Sequence, residues 1–234
     1  MNDLVSGLSE AWRLLAGRDA EVWSIILLSL RVSLIATSIA LLLGVPRGTI
    51  LALTRFPGHA LAVGGVYAGM GLPPIVAGLI VSAMLWRNGP FGALGLLYSP
   101  VAMIIAQALI ATPVVAALSF SAIHALDPRY RLQLMALGAN RVQTAWWLLR
   151  EARLPLVAAV VAGFGAVISE VGAAMMVGGN IKGETHVLTT ATVLEVSRGH
   201  FDIAFALSFV LLAITYLVTF LLSLLQRQPL PARG

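Results

Sequence analysis

Cysteine is absent from the 234 residues, so disulfide frameworks, thiolate metal sites and cysteine nucleophiles are excluded. Lysine occurs once, as Lys182, and Gly183 follows it. A nucleotide-binding Gly-x-x-x-x-Gly-Lys-Ser/Thr loop needs a lysine followed by a hydroxyl, so the chain has no such loop and is not its own ATPase. Charge is scarce as well: 11% of residues are charged, against about 25% in soluble domains. What fills the chain instead is apolar, with 59% hydrophobic residues and a mean hydropathy of +0.93. One soluble core of this length cannot bury that much apolar surface, and a bilayer must take part of it. The same numbers exclude intrinsic disorder and a soluble nucleic-acid binder, despite a pI near 10.4. His59, His124, His186 and His200 are scattered without metal-ligand spacing, and no Gly-x-Ser-x-Gly elbow or paired-carboxylate site occurs. Neither a cofactor nor an enzyme active site is expected.

A spanning helix needs roughly 20 mostly apolar residues. Five runs qualify: about Trp23 to Val45, Leu61 to Trp86, Pro100 to Ile123, Pro155 to Val177 and Ile203 to Leu225. They lack the two-residue alternation of barrel strands, so the expected fold is an all-α integral membrane protein. The second run is long enough to tilt, and Pro73-Pro74 should kink it. With the N-terminus outside, nine arginines fall on the inner side and five basic residues on the outer side. That matches the positive-inside rule. Asp3, Glu10, Asp19, Glu21, Glu184, Glu195 and Asp202 would all lie outside. Residues 1–22 carry Leu4, Val5, Leu8, Trp12 and Leu15 at helical spacing, the pattern of an amphipathic helix on the membrane surface.

The stretch from about His124 to Leu154 breaks this rhythm. It holds five of the nine inner arginines and is too charged to span. Asp127-Pro128 can open a helix, apolar Leu132, Leu134, Met135 and Leu137 follow, and Gly138-Ala139-Asn140 supplies a break. A second helical run, Arg141 to Arg153, carries Val142, Ala145, Trp146 and Leu149 on one face, and Leu154-Pro155 ends it. Such a hairpin either docks a partner protein or lies on anionic lipid.

At these residues the chain resembles the permease subunits of ABC importers. Asp127-Pro128, Leu137-Gly138-Ala139 and Leu154-Pro155 resemble the family's cytoplasmic coupling loop, a Glu-Ala-Ala…Gly…Leu-Pro pattern that inserts into a groove of the ATPase subunit. Leu132-Gln133-Leu134 stands where the pattern has Glu-Ala-Ala, and the distance from Gly138 to Pro155 is about one helical turn longer than usual. Gly71-Leu72-Pro73-Pro74-Ile75-Val76-Ala77-Gly78 is similar to a Leu-Pro-Pro-Val-Val-x-Gly run of the family's oxyanion branch. Ile168-Ser169-Glu170-Val171-Gly172-Ala173, with Gly178-Gly179-Asn180-Ile181, is similar to its Gly-Glu-Phe-Gly-Ala…Gly-Asn-Ile. The version found here looks most like the tungstate permeases, with molybdate and sulfate permeases as alternatives.

The resemblance implies one transmembrane permease domain over residues 1–234, a five-helix core of the type I importer kind and a coupling loop at about 124–154. It implies a multi-pass protein of the cell inner membrane that works as a homodimer. Its partners would be two ATPase subunits, an extracytoplasmic oxyanion-binding protein and membrane lipid, with no nucleic acid. Asp127, Ala136, Leu137, Gly138, Ala139, Asn140, Arg141, Leu154 and Pro155 would then couple the ATPase to the pore. A self-contained channel or secondary transporter is the competing class.

Two charges sit inside spans, Arg31 and Glu170, and intramembrane charges usually face a bundle interior or a wet cavity. Glu170 either pairs with Arg31 or gates the pathway. Pro73, Pro74, Gly172 and Asn180 are further pathway or gate candidates. Gly65…Gly69 and Gly165…Gly172 have the spacing that lets helix backbones approach. The turn Gly178 to Gly183 either cradles an anion beside Lys182 or is only a turn. Thr189, Thr190 and Thr192 receive no role.

Overall fold

The computed structural model describes residues 20–224 together with Ser9, Trp12, Arg13, Ala16 and Gly17. Leu4, Val5, Leu8 and Leu15, which carry the expected surface helix, lie outside the described residues. Among the described residues ten α-helices follow one another: α1 (Ala20–Leu53), α2 (His59–Met70), α3 (Pro74–Leu85), α4 (Pro100–His124), α5 (Pro128–Ala136), α6 (Arg141–Glu151), α7 (Arg153–Ile168), α8 (Gly172–Gly178), α9 (Leu188–Ser197) and α10 (Phe201–Leu224). No strand occurs among the described residues.

Three helices, α1, α4 and α10, are long and apolar enough to cross a membrane unbroken. α1 has 34 residues, about 51 Å at 1.5 Å per residue, so it overshoots a hydrocarbon layer of about 30 Å. α4 is the axis of the bundle. Ala36, Ala40, Gly44 and Gly48 recur every fourth residue on the buried side of α1, and Ala36 and Ala40 pack on Ala108, Ala111 and Val115 of α4. A β-carbon on Gly44 would fall 2.9 Å from the Thr112 carbonyl oxygen. The backbones therefore meet directly, which replaces the hydrophobic drive that lipid cannot supply. Of the expected packing glycines, Gly65 and Gly165 have nothing within 4 Å of a built β-carbon, whereas Gly69 would meet the Pro113 side chain of α4 at 2.8 Å; Gly44, Gly48 and Gly78 make further close approaches that the spacing did not single out.

Two of the expected spans are broken rather than continuous. α2 and α3 meet at 101°, and the break is written in the sequence. Gly71 ends α2, Pro73 is extended at φ −60° and ψ 126°, and Pro74 opens α3. The expected bend at Pro73-Pro74 is there, but as a full break with the prolines at a helix start rather than as a kink from donors lost in a helix interior. Proline at the first helical turn loses no hydrogen bond, and an extended residue is what proline demands before itself. The free amides at the break are also few, since Val76 and Ala77 both donate to the Pro73 carbonyl at 2.9 and 3.2 Å. The fourth expected span, Pro155 to Val177, divides at Ser169–Val171 into α7 and α8.

The arginine-rich hairpin α5–α6 leaves α7 at 74°. Leu148 and Ala152 root it against Ala122 and Ile123 of α4, with Ala52 and Leu53 of α1 alongside. At the opposite end of the bundle, Val22, Ile25 and Ile26 of α1 pack with Leu188 and Ala191 of α9 and Ala206, Leu207 and Val210 of α10.

Candidate functional site

The hairpin is built from its caps outward. Asp127 accepts a hydrogen bond from the Arg129 amide at 2.8 Å, with Pro128 in the first turn of α5. Gly138 turns the chain at φ +83°, a conformation that glycine takes without steric cost. Asn140 then opens α6 with reciprocal bonds: its side chain accepts from the Gln143 amide, and the Asn140 amide donates to the Gln143 side chain, both at 2.9 Å. This capping box satisfies two otherwise orphaned donors. The break lies where the sequence placed it, at Gly138-Ala139-Asn140.

With its ends fixed, the hairpin projects apolar residues away from the bundle. Leu137 is 85% exposed, Val142 79% and Trp146 66%, with Leu132 and Met135 also exposed. Arg129, Arg131, Arg141, Arg150 and Arg153 are exposed around them. Ala136 and Pro155 are exposed too, while Ala139 and Leu154 are half-buried. A surface of this kind, apolar at its tip and rimmed by cations, is suited to an apolar groove with an acidic margin.

The second constellation forms where the broken spans meet. Gly78 of α3 lies against Ala173 of α8, and Gly172 lies near Ile75. The two runs that carried the resemblance, Leu72 to Gly78 and Ile168 to Ala173, are therefore in contact. Glu170 is 8% exposed, and its Oε1 accepts from the Ala173 amide at 2.9 Å. Its backbone carbonyl accepts from the Thr189 hydroxyl at 3.0 Å. Arg31 is exposed on α1 and forms no ion pair with Glu170, so the expected Arg31–Glu170 pair is corrected. The physical reason is local: α8 begins two residues after Glu170, and the free amides of its first turn give the carboxylate a nearer partner than a side chain on another helix. Pro73 and Pro74 are exposed beside this junction.

Between α1, α4 and α9, the buried Gln107 leaves its Oε1 without a hydrogen-bond partner. It borders a void of about 10 Å³ shared with Ser29, Ser33 and Thr189, about the room one water needs.

The loop after α8 is a fastened structure. Asn180, at φ 52°, donates through its side-chain amide to the Thr190 carbonyl at 3.3 Å. That orientation turns Asn180 Oδ1 toward His186 Nδ1 at 2.6 Å, so the imidazole donates from Nδ1. The Thr185 hydroxyl donates to the Gly178 carbonyl and accepts from the Ile181 amide, at 2.6 and 2.9 Å. The Ser29 hydroxyl of α1 accepts from the Leu188 amide at 2.8 Å, and Lys182 pairs with Glu21 at 2.7 Å. The side chains of Asn180, Thr185 and Lys182 and the Ile181 amide are thus engaged internally, which favours the turn reading over an anion cradle. Burial holds the His186 pKa below its ordinary 6.5, against the pull of Glu21 and Glu195. For Glu195, burial pushes the pKa up, but hydrogen bonds from His200 and Arg198 outweigh it and hold the carboxyl below its ordinary value.

Sequence reasoning did not find Ser29, Thr185, His186, Thr189 or Thr190. Their spacing forms no motif, and only the fold brings Ser29 to Leu188. Among the described residues, no group of three or more histidines and carboxylates could hold a metal ion.

Residues 44–229 match the family described as the binding-protein-dependent transport system inner membrane component. The chain belongs to this family. The permease is 38% identical to the tungstate uptake system permease protein of Peptoclostridium acidaminophilum over 97% of this chain and 100% of that one. It is 37% identical to a probable anion ABC transporter permease protein of Haloferax volcanii, over 82% of this chain and 84% of the relative. A solved amino acid ABC transporter superposes with a TM-score of 0.66 at 18% identity, covering 91% of this chain and 96% of that one. The fold is accordingly that of the type I ABC importer permeases, and the protein is an inner membrane component.

Proposed function

We propose that this chain is the permease subunit of a tungstate importer, acting as one half of a homodimer. All 234 residues form one transmembrane domain, with α1, α2–α3, α4, α7–α8 and α10 as its five core spans. Two ATPase subunits bind beneath, and an extracytoplasmic binding protein delivers the oxyanion above. Hydrolysis of ATP belongs to those separate subunits.

The observation that carries the reading is the hairpin. Its two capped helices hold an apolar tip clear of the bundle while their root packs on the ends of α1 and α4. A push on the tip is carried by rigid elements, because α6 runs into α7 through Ala152, which is wholly buried. α7 leads to the Ser169–Val171 break, where α8 abuts α3. Closure of the ATPase pair on ATP therefore moves the α3–α8 junction, and Pro73, Pro74, Glu170 and Gly172 sit where that movement opens or shuts the pathway. Irregular backbone at membrane depth is tolerated where it is buried in protein or lines a wet cavity, and two helix breaks meeting at one junction suit such a gate. Glu170 holds the gate segment in shape and does not ligate the dianion, which its own charge would repel. Tungstate is favoured over molybdate and sulfate because two relatives named as tungstate permeases match at 38% and 33% identity, against 26% for a molybdenum permease of Escherichia coli.

Reconstitution in proteoliposomes tests this. ATP-dependent tungstate uptake should require the permease, the ATPase and the binding protein together. Molybdate and sulfate should compete less well than unlabelled tungstate. Uptake by the permease alone would instead identify a channel or secondary transporter.

A further inference from the structure

At the elbow between α6 and α7 the chain turns by 74°, and a recess of about 330 Å³ opens there, lined by Tyr130, Trp147, Arg150, Glu151, Arg153 and Leu154. Arg150 and Arg153 both line it, and neither has an ion-pair partner among the described residues. Arg150 lies over the Trp147 ring at 5.2 Å. Stacking of this kind holds the guanidinium plane and leaves its N–H edge for an anion. Arg153 follows within three residues, as the first residue of α7. The elbow is also where an arginine-rich hairpin gives way to an apolar helix, which places the recess at headgroup depth, flanked by the Trp and Tyr that favour that depth.

We propose that this recess binds the phosphate group of an anionic phospholipid and so anchors the elbow to the membrane surface. The two arginines bind the phosphate oxygens by charge-assisted hydrogen bonds, and the aromatic rings border the glycerol backbone. Glu151 is the one acidic group of the lining and weakens the site. The anchor gives the hairpin a fixed fulcrum, a consequence that rests on the lever reading above. The binding itself does not, because it is measured without an ATPase and without a sided membrane.

The full chain in neutral detergent is titrated with phosphatidylglycerol, with phosphatidylcholine and with inorganic phosphate, while native mass spectrometry and melting temperature are followed. Phosphatidylglycerol should stay bound and raise the melting temperature, and phosphatidylcholine should do neither. Arg150→Gln with Arg153→Gln should weaken phosphatidylglycerol binding about tenfold or more, and Glu151→Gln should tighten it about threefold. The Arg150→Lys, Arg153→Lys pair should fold like the parent and recover part of the affinity. Arg47→Gln with Arg55→Gln removes the same charge outside the recess and should change affinity by less than about twofold. Protection by phosphatidylglycerol but not by inorganic phosphate identifies lipid as the source. Protection by inorganic phosphate alone identifies a soluble anion and overturns the anchor. Equal retention of phosphatidylglycerol by the parent and the glutamine pair, or equal loss in the Arg47/Arg55 control, overturns the site.

Discussion

Gly78 of α3 lies so close to Ala173 of α8 that a β-carbon built on Gly78 would sit 2.8 Å from the Ala173 α-carbon. The neighbour is backbone rather than the end of a flexible side chain, so it cannot swing aside. Gly78→Ala should therefore push the two half-helices apart, at a cost of about 1–3 kcal/mol. Transport should fall more than the melting temperature suggests if the displaced contact is the proposed gate. Gly65→Ala is the matched control: nothing lies within 4 Å of its built β-carbon, and one added methyl in a helix should be neutral or mildly stabilising within the single chain.

Glu170 separates a capping role from a charge role. Its Oε1 accepts from the Ala173 amide at 2.9 Å, and a glutamine carbonyl oxygen can do the same. Glu170→Gln should keep the fold and most of the uptake. Glu170→Leu leaves the Ala173 amide unpaired in a buried place and should cost about 1–2 kcal/mol, with uptake strongly reduced. Equal loss in both variants would mean that the negative charge, and not the cap, is what transport requires.

The helical class, the position of the hairpin and the Gly138 break were legible in the sequence because each depends on residues near one another in the chain. Asp127 and Asn140 cap within three residues of themselves, and composition alone demands a bilayer. The division of two spans was harder to see. Hydropathy reads Leu61 to Trp86 as one run, since Gly71, Leu72 and the prolines scarcely lower its average, while backbone geometry divides it at Pro73. The Arg31–Glu170 pairing failed for a related reason. Depth along two spans says nothing about the azimuth of either residue, and Arg31 is exposed while Glu170 turns to the first turn of α8. The Ser29–Leu188 and His186–Asn180 contacts depend on tertiary packing and leave no local pattern to read.

His186 makes the loop between α8 and α9 sensitive to acid. Burial lowers its pKa from 6.5, so the unfolded loop takes up a proton before the folded one as pH falls. Stability is fully present above about 6.5 and is lost as pH drops toward the lower folded value. Protonating the ring also leaves Nε2 as a second buried donor to satisfy. Amide protection factors across residues 180–190, taken against the slower intrinsic exchange at low pH, should fall from pH 7 to pH 5 in the parent. His186→Gln, which can still donate to Asn180, should flatten that dependence.

Leu137 decides between the two surfaces a hairpin of this kind can meet. At 85% exposure its side chain contributes little to the permease's own stability, and Leu137→Asp should leave the melting temperature nearly unchanged. If the tip seats in a groove of the ATPase, burying an unpaired carboxylate there should weaken association by about tenfold or more, and ATP-dependent uptake should vanish with it. Were the tip instead lying on lipid, the same variant would bind the ATPase at parental strength. Gly138→Ala offers a second approach to the same surface. No atom lies within 4 Å of its built β-carbon, but its φ of +83° makes a side chain strained by about 1–2 kcal/mol. It should therefore misalign α5 against α6 without a clash, lowering the uptake per ATP hydrolysed while the ATPase remains bound, as co-purification would report.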